Sequence, residues 1–197
     1  MRLGLARRAA SPDAVLLRPL VPPASGVPLG YIARFPTQSG DASEPVSVLR
    51  WTLQALQVLA PEAFLVAELA IASVYDPSFE RLIRDTGRER LLPALTQARV
   101  GRRLEEVTGA RLMLQGLGMR VAVTGHRIRR VGEFDVLVIT PPFAVDSQCS
   151  GKLLIATGLS SPDHLAQAEA RGSDLVEGNA VAEPIRVAPV DLKRLRR

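Results

Sequence analysis

Short apolar runs alternate with segments of helical periodicity along this chain, and this alternation limits the fold more than any other feature. Near-continuous apolar runs are typical of strands buried on both faces; they lie at 63–70, 119–125, 134–142 and 152–158. Apolar residues at helical spacing predict helices at 46–60, 76–87, 102–118 and 161–172. Strands that alternate with helices in this way predict a parallel sheet covered by helices.

The start of the chain departs from this alternation. Residues 14–21 and 27–35 predict two antiparallel strands, because the Pro/Gly/Ser-rich segment 22–26 between them is typical of a turn. Segment 88–97 is ambiguous and is taken as a strand, and 173–179 predicts a short final strand. The whole pattern predicts an α/β fold with a shortened, TIM-type (β/α) barrel, and an open doubly wound sheet is the alternative.

Local signals mark the ends of two of the predicted helices. Asp76 is a suitable N-cap, Pro77 suits the first helical position and Gly87 suits the end of the helix. Ser160 or Ser161 is expected to cap the helix of 161–172, which Gly172 would end. We found no linker, so we expect one domain over 1–197, with a basic tail at about 187–197.

The residue counts exclude several classes of protein. One cysteine and two histidines in 197 residues cannot build a zinc finger, an iron–sulfur site or a disulfide framework. The net charge of +5 would suit nucleic acid, but aromatic residues make up only 4% of the chain and offer few stacking platforms, so we expect no nucleic-acid partner. No apolar run is long enough for a membrane helix, and a secretion signal is lacking, so we expect a cytoplasmic protein.

Five segments, in order along the chain, resemble the motifs of EAL domains, the bacterial phosphodiesterases and receptors of cyclic di-GMP. They are LLRPLVPPASGVPLGYIARF (16–35), LVAELAIASVYDPSF (65–79), GLGMRVAVTG (116–125), FDVLVITPPFA (134–144) and the stretch from LLIATGLSSPDHL to VAEPI (153–185). The resemblance covers most of the chain and is weakest over 88–112. It implies an EAL-like barrel.

The resemblance also implies where a catalytic site would lie. In the family, carboxylates and an Asn at strand ends hold the metal ions that polarise a phosphodiester and activate water. The corresponding positions here are Ile32, Glu68, Gln97, Thr124, Gly125, Val138, Thr140 and Thr157. Only Glu68 among them carries a carboxylate. We therefore expect a degenerate domain that has no catalytic residue, metal or cofactor and that is not an enzyme.

The function expected on this basis is regulatory protein–protein interaction in bacterial signalling, with an unidentified bacterial regulatory protein as partner. The sequence leaves open whether the chain forms a homodimer. The interaction candidates are Arg127, Arg129 and Arg130, which follow a predicted strand. The alternatives are a receptor that binds cyclic di-GMP without hydrolysing it, for which Arg18 and Arg34 are the nucleotide candidates, and a residual phosphodiesterase. In the receptor alternative, Arg18 and Glu177 stand where the family has glutamines.

Overall fold

The computed structural model describes residues 14–34, 46–96, 104–125, 131–143 and 151–188. Within these ranges, the strands are β1 (Val15–Leu20), β2 (Gly30–Arg34), β3 (Phe64–Leu69), β4 (Leu91–Thr96), β5 (Ala122–Thr124), β6 (Val136–Ile139), β7 (Leu153–Ala156), β8 (Leu175–Val176) and β9 (Ile185–Val187). The helices are α1 (Val46–Leu59), α2 (Ile71–Val74), α3 (Pro77–Thr86), α4 (Leu104–Gly116) and α5 (Pro162–Ala170). The predicted alternation of strands and helices is therefore confirmed.

All nine described strands belong to one sheet, in the order β8-β7-β6-β5-β4-β3-β2-β1-β9. Strands β2 to β8 run parallel, each beside the next along the chain. β1 is antiparallel to β2, with Leu20 opposite Gly30, which confirms the predicted hairpin. β9 runs antiparallel along the other edge of β1. It was not predicted, and it includes Val187, the first residue of the expected tail; residues 189–197 of that tail lie outside the described residues.

The two distant parts of this sheet meet at a seam. Val21, just after β1, donates its N–H to the carbonyl of Val176 in β8 at 3.1 Å and accepts the N–H of Val176 at 2.9 Å. Because β8 is the last strand at the other end of the sheet order, these two bonds show that the sheet curls round to meet β1. The prediction of a shortened (β/α) barrel is confirmed, and the open doubly wound alternative is wrong.

Apolar side chains form a core on each face of the curled sheet. Successive side chains of a strand point to opposite faces, and one set fills the barrel interior: Leu20, Ile32, Val66, Leu92, Ala94, Ala122, Val136, Val138, Ile155 and Leu175. The larger core lies between the sheet and the helices and includes Leu56, Phe79 and Phe143, which are at most 1% exposed. Burial on both faces explains why the strands are near-continuous apolar runs in the sequence.

Helices α3 and α5 begin at the predicted caps. The Asp76 carboxylate accepts the Ser78 N–H at 2.8 Å and the Ser78 hydroxyl at 2.7 Å, and these two bonds hold the pKa of Asp76 below its ordinary value. Ser161, rather than Ser160, caps α5 by accepting the N–H of His164 at 3.3 Å. Arg171 is the C-cap of α5, so the predicted Gly172 stands one residue further on, with a left-handed φ of 72°.

In the part of the chain that the structure describes, none of the helices combines the length and apolar character needed to cross a membrane.

Candidate functional site

The carboxyl-terminal ends of the parallel strands meet at one end of the barrel, called the mouth here. Barrel enzymes build their sites at this end. Three side chains at the mouth stand two residues after an inner-core residue of β5, β7 or β8, so they face the same interior: Thr124 after Ala122, Thr157 after Ile155 and Glu177 after Leu175. Their exposures are 8%, 0% and 2%. The mouth is therefore a polar layer above an apolar interior.

Glu177 is the buried charge of this layer. Its Oε1 accepts a hydrogen bond from Nη1 of Arg18 at 3.3 Å, and its Oε2 accepts the N–H of Gly158 at 3.1 Å. A carboxylate can be buried at acceptable cost when a cation and hydrogen-bond donors compensate for the water it loses. Glu177 meets this condition with one partner from β1 and one from the loop after β7.

Arg18 connects β1 with the segment after β8. It stands two residues before the inner-core residue Leu20 on β1, and its side chain is 25% exposed. Besides Glu177, its Nη1 donates to Oδ1 of Asn179 at 2.8 Å. The seam that closes the barrel near Val21 therefore continues toward the mouth as a cluster of polar side chains.

Gly178 allows the segments after β7 and β8 to approach closely. Its φ is 153°, and a Cβ at this position would collide with the backbone of Leu159. In this arrangement, the Leu159 N–H donates to the Glu177 carbonyl at 3.0 Å, and the Leu159 carbonyl accepts the Ala180 N–H at 3.0 Å. Glycine is required here because of the backbone conformation and because there is no space for a Cβ.

A cavity of about 280 Å³ opens beside this cluster. Arg18, Glu177 and Asn179 line it together with Gly158 and Ser160. The hydroxyl of Ser160 lies 3.3 Å from Nδ1 of His164, at the start of α5. The cavity therefore offers a cation, a carboxylate and an amide within one small volume, and this set suits a ligand that carries both hydrogen-bond donors and anionic oxygens.

The structure places some of the predicted site residues at the mouth and leaves others unplaced. Arg18 lies in the cluster. Arg34 ends β2 opposite Leu16 on β1. The proposed interaction residues Arg127, Arg129 and Arg130 lie outside the described residues, and so does Gln97. Sequence reasoning missed Asn179 and Ser160, and the signal that pointed toward Asn179 was its position directly after the Glu177-Gly178 pair.

The other positions that the sequence resemblance assigned to a metal site lie along the strands of the barrel. Ile32 and Val138 are in the inner apolar core. Glu68 is half-buried on β3, two residues after the inner-core residue Val66. The remaining positions are at strand ends: Thr124, Gly125, Thr140 and Thr157.

The donors and acceptors that the described residues bring together at the mouth bond to one another. Among the described residues, no three His, Cys, Asp or Glu side chains gather where they could hold a metal ion. Both oxygens of Glu177 already accept hydrogen bonds from Arg18 and Gly158. The described mouth therefore presents a paired cation and carboxylate to the cavity.

Comparison with solved structures identifies the fold. Over 93% of its length, the chain matches an EAL enzyme in its cGMP-bound form with a TM-score of 0.65 and 14% identity, covering 64% of that chain. It has the fold of an EAL domain. It also matches the Bacillus subtilis YkuI protein, which has an EAL domain and was solved with its substrate c-di-GMP and calcium: the TM-score is 0.68, the identity 14%, and the coverage 93% of this chain and 60% of that one.

A third match, the PaMucR phosphodiesterase in complex with c-di-GMP, has a TM-score of 0.63 and 13% identity over 90% of this chain and 93% of that one. The chain thus spans less than two thirds of the length of the first and second of these proteins and nearly all of the third. No protein-family model matches the sequence, and the search of curated proteins found no match.

These matches overturn the prediction that the chain is not an enzyme, because the solved chains that share its fold include an EAL enzyme and a phosphodiesterase. That prediction depended on assigning single catalytic positions from weak motif similarity. At 13–16% identity, the register of a strand is easily displaced, and a shift of one residue exchanges the inward and outward side chains. The resemblance to EAL domains is confirmed at the level of the fold, and the loss of the catalytic residues is not shown.

Proposed function

We propose that this chain is a cyclic di-GMP signalling domain and that the mouth of its barrel binds the dinucleotide. The observation that carries this proposal is the buried Glu177 carboxylate, paired with Arg18 beside an open cavity at the carboxyl-terminal end of the barrel. The fold supports it, because solved chains of the same fold hold c-di-GMP.

The chemistry of the cluster complements a guanine nucleotide. An arginine can donate two hydrogen bonds to O6 and N7 of guanine or to phosphate oxygens, and a carboxylate or amide oxygen can accept the N–H groups of the base. Both contacts of Arg18 with described residues use Nη1, so Nη2 and Nε remain for a ligand. The volume of about 280 Å³ is just below that of typical small-molecule sites, which suits one guanine or phosphate of the dinucleotide.

Titration calorimetry with cyclic di-GMP tests this site. We expect Arg18→Gln to weaken binding about tenfold or more, since a hydrogen bond to a charged group contributes about 1.5–3 kcal/mol. Asn179→Ala, which leaves the Arg18–Glu177 pair intact, should weaken binding less. Arg171→Gln is the matched control, because it removes the same charge from an exposed position after α5.

Thermal melts of each variant separate loss of the site from loss of the fold, because Arg18→Gln also removes the cation that compensates Glu177. A folded wild-type protein that gives no heat with cyclic di-GMP would contradict the proposal. Equal affinities of folded Arg18→Gln and Arg171→Gln would do so too. The same samples, incubated with Mg²⁺ or Mn²⁺ and analysed for the linear dinucleotide, show whether the bound ligand is hydrolysed: turnover identifies a phosphodiesterase, and binding alone identifies a receptor.

We further propose that the domain regulates a protein partner, as a second function, and an exposed apolar surface favours this. Tyr75, the C-cap residue after α2, is 50% exposed, and Leu112 on α4 is 57% exposed. The Tyr75 hydroxyl lies beside Gly109, three residues before Leu112 and hence on the same face of α4. A contiguous exposed apolar patch is the kind of surface that contacts other proteins, and we place the partner's contact on these two side chains.

A further inference from the structure

A second cavity, of about 320 Å³, lies at the opposite end of the barrel. Phe64, Leu91 and Leu153, which line it, are the first residues of β3, β4 and β7, so the cavity opens at the amino-terminal end of the parallel strands. We call it the lower cavity. In barrels of this type, the amino-terminal end ordinarily serves stability and is filled by side chains, so an open cavity here calls for an explanation.

The floor of the lower cavity is apolar. Leu92 belongs to the inner core and is 7% exposed, and the half-buried side chains of Phe64 and Leu153 pack against that core. The Phe64 ring lies against Gly30, where a Cβ would come within 2.7 Å of it. At the amino-terminal end of the strands, the barrel interior therefore presents an apolar surface to the lower cavity.

The rim of the lower cavity is cationic. Arg88 and Arg120 line it and are exposed, and neither makes a hydrogen bond or an ion pair with the described residues. The Arg88 guanidinium lies over Gly118, where a Cβ would be 2.6 Å from Nη1. Glu89 is the acidic residue among the lining side chains, so two positive charges face one negative charge around the opening.

We propose that the lower cavity binds a small organic anion with a compact apolar body, of the class of medium-chain carboxylates. The carboxylate lies between Arg88 and Arg120, and the apolar chain covers Phe64, Leu92 and Leu153. Arginine recognises carboxylates through paired N–H donors, and burial of the chain removes apolar surface from water. An inorganic anion would use the rim alone, and a neutral apolar molecule would use the floor alone.

Titration with hexanoate, followed in amide nuclear magnetic resonance spectra, tests this site, with 1-hexanol as the neutral analogue. We expect hexanoate to bind about tenfold more tightly than hexanol and to shift the amide signals of Gly118 and its neighbours. The double variant Arg88→Gln/Arg120→Gln should remove this preference while it still binds hexanol. Raising the salt concentration should weaken the binding of hexanoate but not that of hexanol.

The control for this experiment is the single variant Arg186→Gln. Arg186 lies on β9, opposite Leu16 and near the mouth, at the other end of the barrel. This variant should bind hexanoate as the wild type does. Equal affinities for hexanoate and hexanol would overturn the proposal, and so would an unchanged preference in the folded double variant. Cyclic di-GMP binding should be unaffected in the double variant, so this result is independent of the function proposed for the mouth.

Discussion

At the scale of single residues, the mouth depends on a buried carboxylate and on the glycine that follows it. Glu177 is 2% exposed and receives hydrogen bonds from Arg18 and from the backbone of Gly158. Gly178 lets the Leu159 backbone come close enough to bond the segment after β8. The position of the Glu177 carboxylate is therefore fixed by backbone contacts on both sides, as a pre-organised binding group requires.

The substitution Gly178→Ala should disrupt this arrangement. The added Cβ would meet the Leu159 backbone, which cannot move aside as a side chain can, and the φ of 153° is strained for alanine. We expect the free energy of unfolding to fall by about 1–3 kcal/mol and cyclic di-GMP affinity to fall with it. Chemical denaturation and calorimetry measure the two effects.

Gly172→Ala is the matched control for this prediction, because Gly172 also has a positive φ but has open space where the Cβ would go. It should lose less stability and keep its affinity for the dinucleotide. If the two variants were equally stable, the close approach at Leu159 would not matter for the fold.

At the scale of elements, the helices on the outside of the barrel differ in what they cover. α3 directs Phe79, Leu82 and Ile83 into the outer core and is fixed at its start by the Asp76 cap. α4 buries Val107, Ala110 and Leu114 but exposes Leu112. The short helix α2 packs beside α4, and Tyr75, which follows α2, is exposed. We assign this α2–α4 surface, with its exposed Tyr75 and Leu112, to a partner.

Substitution of a charge into this surface should remove a partner without affecting the fold. We expect Leu112→Asp to lose a protein that the wild-type chain captures from an extract of its native cells, because a desolvated carboxylate at the centre of an apolar contact is costly. Val58→Asp on α1, also at an exposed apolar position, is the control. The captured proteins are identified by mass spectrometry, with and without cyclic di-GMP. If Leu112→Asp and Val58→Asp captured the same proteins, this surface would be excluded as the contact.

At the scale of the whole molecule, the curled sheet joins two cores into one structure. The inner core fills the barrel, and the outer core lies under the helices. Strands β1 to β8 contribute residues to both cores, and the bonds between Val21 and Val176 close the sheet. Loss of packing inside the barrel should therefore be felt in the helical layer as well, as expected for one cooperative domain.

The single tryptophan offers a direct test of this coupling. Trp51 lies on α1 and packs against the outer core, whereas Ile32 is fully buried in the inner core. We expect Ile32→Val to lower the free energy of unfolding by about 0.5–1.5 kcal/mol. The midpoints of denaturation seen by Trp51 fluorescence and by circular dichroism should shift together. Leu112→Ala, at an exposed position, should shift neither, and separate midpoints for the two probes would contradict a single domain.

The sequence by itself determined the elements, their order and much of the barrel. Several features could be predicted because they depend on residues only a few positions apart. These are the apolar runs of the strands, the helix caps at Asp76 and Ser161, and the opening hairpin. The short helix α2 and strand β9 were missed, because each has too few residues to show a period. The resemblance to EAL domains was sufficient for the fold, but not for deciding whether the catalytic residues are present.

Only the tertiary structure decided which distant residues meet. Arg18 and Glu177 are 159 positions apart, and their contact depends on the register of the strands between them and on the curl that brings β8 back to β1. The lower cavity likewise combines the starts of β3, β4 and β7 with arginines that precede β4 and β5. Such contacts arise from the summed twist and stagger of a closed sheet, which no local pattern of residues records.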